Sequence, residues 1–277
     1  MASLDVGLFG PGSVTWRVNR EQALLLGGGC ALLEQVAHPL VAAGVSDHSD
    51  FRADPLKRLR RTLDATLAIV FGTTDDAHRA AEGIRAVHSR VQGTIPEDTG
   101  RFGSGTAYSA QEPSLLAWVN ATLFDTSIRT YELLFTPLSK TDLERYYEES
   151  CQVARILGVP DSQMPPTIAG FREWWSEMLR GDDVVIGAQG RQLAQAVLTP
   201  RIRFVPRPAF APLTLFTLGL LPEPVRARYG FRWSSTKERA FRASTAAVRA
   251  AVKAMPARLR LFPQARAAER RAASAAA

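Results

Sequence analysis

The sequence predicts an all-α protein, and three observations carry that prediction. Apolar residues recur at helical spacing in one segment after another. Those segments open and close on cap signals, among them Asp54-Pro55, Ser139 followed by Asp142, and Gly158. Strand-type alternation shows only weakly, at 201–205. With 277 residues, 46% of them hydrophobic, the chain can fill one large helical core. The expected architecture is a single large multi-helix domain over 1–225, followed by a basic helix and tail over 226–277.

Gly10 to Ser13 reads as a loop, with a first helix starting near Asn19 or Arg20. Residues 24–37 read as a strongly apolar helix interrupted by Gly27, Gly28 and Gly29. Three glycines cost a helix about 1 kcal/mol each relative to alanine, so a flat cofactor or a neighbouring helix is expected to approach that backbone closely. The triplet is not G-x-G-x-x-G and no strand precedes it, which excludes a dinucleotide fingerprint. Pro39 breaks the helix and can aim His38 into a cavity. Polar, glycine-bearing 42–51 reads as a loop with His48 on its solvent side.

Asp54 as cap and Pro55 at the first helical position start a helix over 58–71, and Thr74-Asp75 starts another that carries His88 and ends at Gly93. His78, among polar residues, is expected to be exposed. After a loop around 103–110, Glu112-Pro113 opens a helix whose broad apolar face includes Leu115, Trp118, Thr122 and Leu134, with Asn120, Asp125 and Arg129 as polar positions. Helices follow over 139–157, over 167–179 with the aromatic group Phe171, Trp174 and Trp175, and over 184–198. The run 209–221 is too short to span a membrane and contains Pro212, so it is expected to be a buried helix or a lipid-facing patch. A last helix covers 234–254, and the Ala/Arg tail over 258–277 is expected to fray.

The candidate site lies at 58–88. Arg58, Arg61 and Thr62 share one face of a helical turn, because positions three and four apart are neighbours. In the next helix Ala77, Ala80, Ala81, Ile84, Val87 and His88 follow helical spacing, which puts His88 on the buried stripe. A core-facing histidine with a basic turn upstream suits a ligand to a buried haem and its anionic propionates. The same spacing equally describes a hydrogen-bonded core histidine. Glu34, one turn before His38, is a candidate base by position.

Cys30 and Cys151 are far apart and lack C-x-x-C spacing, so neither a disulfide framework nor a zinc site is expected, and a reducing cytoplasm fits. Met1 to Gly12 shows no secretory pattern. The net charge of +7 is uneven: from Arg226 onward 13 Lys and Arg face two Glu, whereas 1–225 is net acidic.

Five separated motifs resemble one family. They are Q-x-x-H-P at Gln35, G-V-x-x-H-S-x-F at Gly44, R-L-x-R-T at Arg58, V-H-x-x-V-x-G at Val87, and Y-x-A-x-x-P-x-L-L-x-W-V at Tyr108. In this order, across roughly 10–221, the chain resembles the MpaB-type oxygenases, related to the latex-clearing proteins or rubber oxygenases. The resemblance implies an all-α fold, haem b, and cleavage of isoprenoid double bonds with dioxygen. It implies His88 as proximal iron ligand, Arg58, Arg61 and Thr62 as the basic turn on the distal side, and His38 near the pocket. The chain departs from the family pattern at Asn120, where relatives often carry His.

Three readings follow. The first is a cytoplasmic haem-dependent oxygenase acting on an apolar substrate, in a pocket lined by Trp118, Leu115 and 209–221. The second, favoured by Asn120, is a haem- or lipid-binding protein without turnover. The third is a membrane-surface or nucleic-acid binder working through the basic C-terminus; no nucleic-acid motif accompanies those charges, and peripheral membrane contact remains the better use for them.

Overall fold

The computed structural model describes residues 5–49, 55–200 and 204–276, with side chains described for all of these except 55–59 and 275–276. It is all-α apart from one short hairpin among the described residues.

The centre is helix α6 (Pro113–Leu134), where Trp118, Thr122 and Thr130 are wholly buried. Glu112 and Pro113 open it as the sequence predicts. Around it pack α2 (Gly28–Gln35), α7 (Lys140–Ile156), α10 (Ala211–Leu220) and α12 (Ser235–Ala254). Helix α7 starts on Ser139, whose hydroxyl accepts from the Asp142 amide, and α8 (Ile168–Arg180) starts on Thr167 in the same way. Between α6, α7 and α8 the rings of Phe124, Tyr146, Tyr147, Phe171 and Trp175 meet at centroid distances of 5.1–6.1 Å, so the aromatic group is core.

The glycine triplet lies across a 3₁₀ helix (Gln22–Gly27) and the start of α2. Of the two causes expected for it, the structure shows neighbouring helices. A Cβ at Gly27 would overlap Thr130 and Thr126 of α6, and one at Gly29 would overlap Thr217 of α10. Gly28, between them, faces open space.

Several sequence expectations are corrected. Residues 42–51 do not begin as a loop: α3 (Pro39–His48) runs through them, with His38 as cap and Pro39 at its first position, and bends 109° from the preceding helix. Gly44 is tolerated there because its bare face lies against Val91 and Tyr108. Helix α5 (Thr74–His88) is capped by Thr73 in a reciprocal box with Asp76, not by Thr74-Asp75, and it stops at His88. Gly93 instead lies in strand β1 (Gln92–Thr94), paired antiparallel with β2 (Ala107–Ser109) in a stretch read as loop. The weak alternation at 201–205 falls largely outside the described residues, as does the Asp54 cap of α4 (Pro55–Phe71).

The tail also departs from expectation. Instead of fraying, α14 (Pro263–Ala276) docks on α4 through Phe262, Ala265 and Ala268, which join Trp16, Leu67, Val70 and Phe71 in one cluster. Small alanines let the helices approach, and Arg271 closes the contact by donating to the carbonyls of Phe71 (2.8 Å) and Gly72 (3.1 Å).

The glycine contacts predict opposite signs at adjacent positions. Gly28→Ala should stabilise by up to about 1 kcal/mol, whereas Gly27→Ala and Gly29→Ala should destabilise by about 1–3 kcal/mol despite alanine's helix propensity. Urea midpoints read the difference; equal gains at all three positions would show that α6 and α10 do not close on this segment.

Candidate functional site

Helices α4 and α5 are joined by only Gly72 and Thr73 and pack against each other, which makes them an antiparallel hairpin. Arg58 lies as far from that connection along α4 as His88 lies along α5, so the hairpin brings the basic turn and the histidine to one level. The side chain of Arg58 falls outside those described. Arg61 and Thr62 are exposed on α4.

His88 ends the stripe that Ala77 and Ala81 begin at full burial. The stripe thins toward its end: Val87 is 62% exposed and His88 is half-buried. The Nδ1 atom of His88 is nevertheless buried and has no hydrogen-bond partner. Burial lowers the imidazole pKa below its usual 6.5, so the ring is neutral at neutral pH and presents a lone pair. An orphaned ring nitrogen of this kind suits an axial ligand. Among the described residues no three His, Cys, Asp or Glu side chains converge.

His38 lies at the start of α3. Only 5% exposed, it caps α3, its Nδ1 accepting from the Leu40 amide at 3.3 Å. Its ring lies 5.3 Å from Phe102 and 6.4 Å from Trp118. Burial pushes its pKa down to about 4, with the nearby Arg101 adding to this and Asp183 opposing it. No hydrogen bond or ring contact among the described residues joins it to His88, Arg61 or Thr62. As expected, His78 is exposed, and so is His48, whose Nε2 sits 3.0 Å from the Gln92 carbonyl.

Sequence spacing also missed the largest buried charge cluster. Glu34 is fully buried on α2, and its carboxylate accepts from Arg129 and, at 3.0 Å, from Thr126. Arg129 also pairs with Asp125 at 2.6 Å and donates to the Leu220 carbonyl of α10. The Cys30 thiol lies 3.6 Å from Glu34. Asp125 and Arg129, four apart in an apolar helix, were the legible signal. Two carboxylates share one guanidinium, so both cannot ionise without an uncompensated buried charge. Burial pushes Glu34 up to about 7 and raises Asp125, while the two acids hold Arg129 firmly charged. With its oxygens engaged in this way, Glu34 ties helices together.

Small surface hollows lie elsewhere. One, between α6, α7 and α8, is walled by Asn120, Phe124, Tyr147, Cys151, Phe171 and Trp174. Another is walled by residues including Pro39, Ile95, Thr99 and Gly187. Neither is lined by His88, His38 or Arg61. Trp118, expected to wall a pocket, is wholly buried in a stack on Trp175 at 5.1 Å.

The two buried titrating groups predict opposing pH effects. His38, depressed from 6.5 to about 4, contributes stability that is present above pH 6.5 and lost as pH falls toward 4, on the order of 2–3 kcal/mol. Glu34, raised from 4.5 to about 7, acts in reverse: its contribution is present below 4.5 and lost as pH rises through 7. Relative to wild type, His38→Gln should therefore make stability fall more with rising pH, and Glu34→Gln should make it rise more. Urea titrations between these limits check both slopes.

Uncharacterized proteins of Mycobacterium bovis and Mycobacterium tuberculosis are each 28% identical to the chain over 239 residues, covering 83% of it and 89% of their own length. No solved structure matches it. Residues 16–250 match the family described as "ER-bound oxygenase mpaB/B'/Rubber oxygenase, catalytic domain". The match takes in α4, α5 and α6 with all five motifs, and the chain belongs to that family of oxygenase catalytic domains.

Proposed function

We propose that the protein is a haem b-dependent oxygenase that uses dioxygen on an apolar, isoprenoid-like molecule, with His88 as proximal ligand. The observation that carries this is the buried, unpartnered Nδ1 of His88 on a helix of an oxygenase catalytic domain. A haem held by His88 would supply the iron chemistry that activates dioxygen. The remaining work falls to side chains.

Burial keeps the His88 imidazole neutral, the form that donates to iron. The capping box of α5 and its packing on α4 fix where that ring stands. Arg58, level with His88, would pair an anionic propionate or offer positive charge to the reacting oxygen. Arg61 and Thr62, being exposed, are suited to the propionate edge. His38 supports the site at a distance, as a neutral cap packed among aromatic rings. We assign haem binding to 1–225 and an accessory role to the basic 226–277. Cys30 and Cys151, free and buried, support a reducing, cytoplasmic setting.

Asn120 favours a second reading, a haem- or lipid-binding protein without turnover. Asn120 lines the hollow between α6, α7 and α8, at a position where the family pattern often has His. Dioxygen consumption with isoprenoid substrates separates the two readings.

Haem-reconstituted protein should show a Soret band that His88→Ala removes or shifts, that free imidazole restores in this variant, and that His38→Gln leaves in place. A colourless wild type, or a band indifferent to His88→Ala, would overturn the proposal.

A further inference from the structure

Among the described residues, six of the eight exposed large hydrophobic side chains gather toward one end of the molecule: Leu25, Phe204, Val205, Leu213, Met255 and Leu259. Singly exposed apolar residues need no explanation, but a concentration does.

Contacts between distant segments establish the grouping. Gln22 donates to the carbonyls of Leu259 (3.3 Å) and Leu261 (2.9 Å), and Leu25 lies three residues on in the same 3₁₀ helix, where such positions eclipse. Leu25 therefore lies on the side of the turn after α12, which holds Met255 and Leu259. Gly29 abuts Thr217, and Arg129 links Glu34 to the Leu220 carbonyl, so α10 runs alongside α2 in the same direction. Its first turn thus carries Leu213 to the level of Leu25, and Phe204 and Val205 lead into that turn. Phe204, 88% exposed, is held at φ 66°, a backbone conformation that bulky residues rarely adopt.

The charge around this end is mostly positive, its acids Glu21 and Glu269 being paired with arginines. Neither 184–222 nor 239–268 contains an acidic residue. Arg207, Lys253 and Arg258 are exposed, and Lys253 and Arg258 make no ion pair among the described residues. Glu21, the acid next to Gln22, is buried against Arg260 at 3.0 Å and Arg20 at 3.8 Å. Among the described residues no single helix is long and apolar enough to cross a membrane. The bent pair Gln22–Gln35 and Pro39–His48 passes that test only jointly, and it buries Cys30, Leu33 and Ala42 in the core.

We propose that this face docks on the surface of an anionic lipid bilayer. Leu25, Phe204, Leu213, Met255 and Leu259 enter the boundary between headgroups and acyl chains, and Arg207, Lys253 and Arg258 meet lipid phosphates. Apolar side chains beside exposed cations match an interface that is oily beneath and negative above. The proposal rests on this surface and is independent of haem.

The test is flotation of the full chain with vesicles of phosphatidylcholine alone or of phosphatidylcholine with phosphatidylglycerol. Binding should require phosphatidylglycerol and weaken with salt. Lys253→Gln and Arg258→Gln should each lower it roughly fivefold, and Leu25→Ser and Leu259→Ser about fivefold. Leu123→Ser, an exposed apolar position on α6, should leave it unchanged, and circular dichroism should show every variant folded. No binding to either vesicle would overturn the proposal. So would binding indifferent to Leu25→Ser and Leu259→Ser, an equal loss with Leu123→Ser, or a Leu259-dependent dimer in place of vesicle binding.

Discussion

One guanidinium holds the centre of this molecule. Arg129 reaches from α6 to the buried carboxylate of Glu34 on α2 and to the Leu220 carbonyl at the end of α10, with Asp125 beside it. Removing these charges from water costs several kcal/mol per ion, and the close pairing of Arg129 with both carboxylates offsets that cost. An apolar cluster could have been as stable. What the ion cluster adds is direction: each helix is fixed at one register, since sliding any of them by a turn would strand a buried charge. The glycine contacts depend on that register, because Gly27 and Gly29 accept α6 and α10 only where Thr130 and Thr217 stand opposite them.

The candidate site is built on a different unit. The α4–α5 hairpin leans on the core through Trp16, Leu67, Val70 and Phe71 at its closed end, where α14 also docks. Burial fades from there toward the open end, from Phe71 at 2% exposure to exposed Arg61 and Thr62 on α4 and Val87 on α5. The half-buried position of His88 follows from that gradient. A ring there is dry enough to lose its proton readily and near enough to the surface for a large planar group to reach it.

The caps were legible because they are local chemistry. Ser139, Thr167 and Glu112-Pro113 mark their helices within a few residues, and the structure keeps them. The misplaced loop at 42–51 shows where local reading ends: a glycine and polar residues argue for a loop, but Pro39 and the His38 cap start a helix, and packing on Tyr108 and Val91 keeps it. The docked tail is a similar case. Alanine and arginine alone suggest a fraying helix, and nothing local reveals that Trp16 and Phe71, far away in sequence, need a lid.

The sequence by itself determined the helical class, most helix starts, the order of the family motifs and the presence of His88 on an amphipathic helix, since each is written in residues a few positions apart. Tertiary structure alone decided that His38 is a buried cap, that Glu34 is a tie among helices, and that scattered leucines and arginines converge on one face. Those outcomes depend on which distant segments meet, and burial and charge pairing are properties of the meeting rather than of either segment.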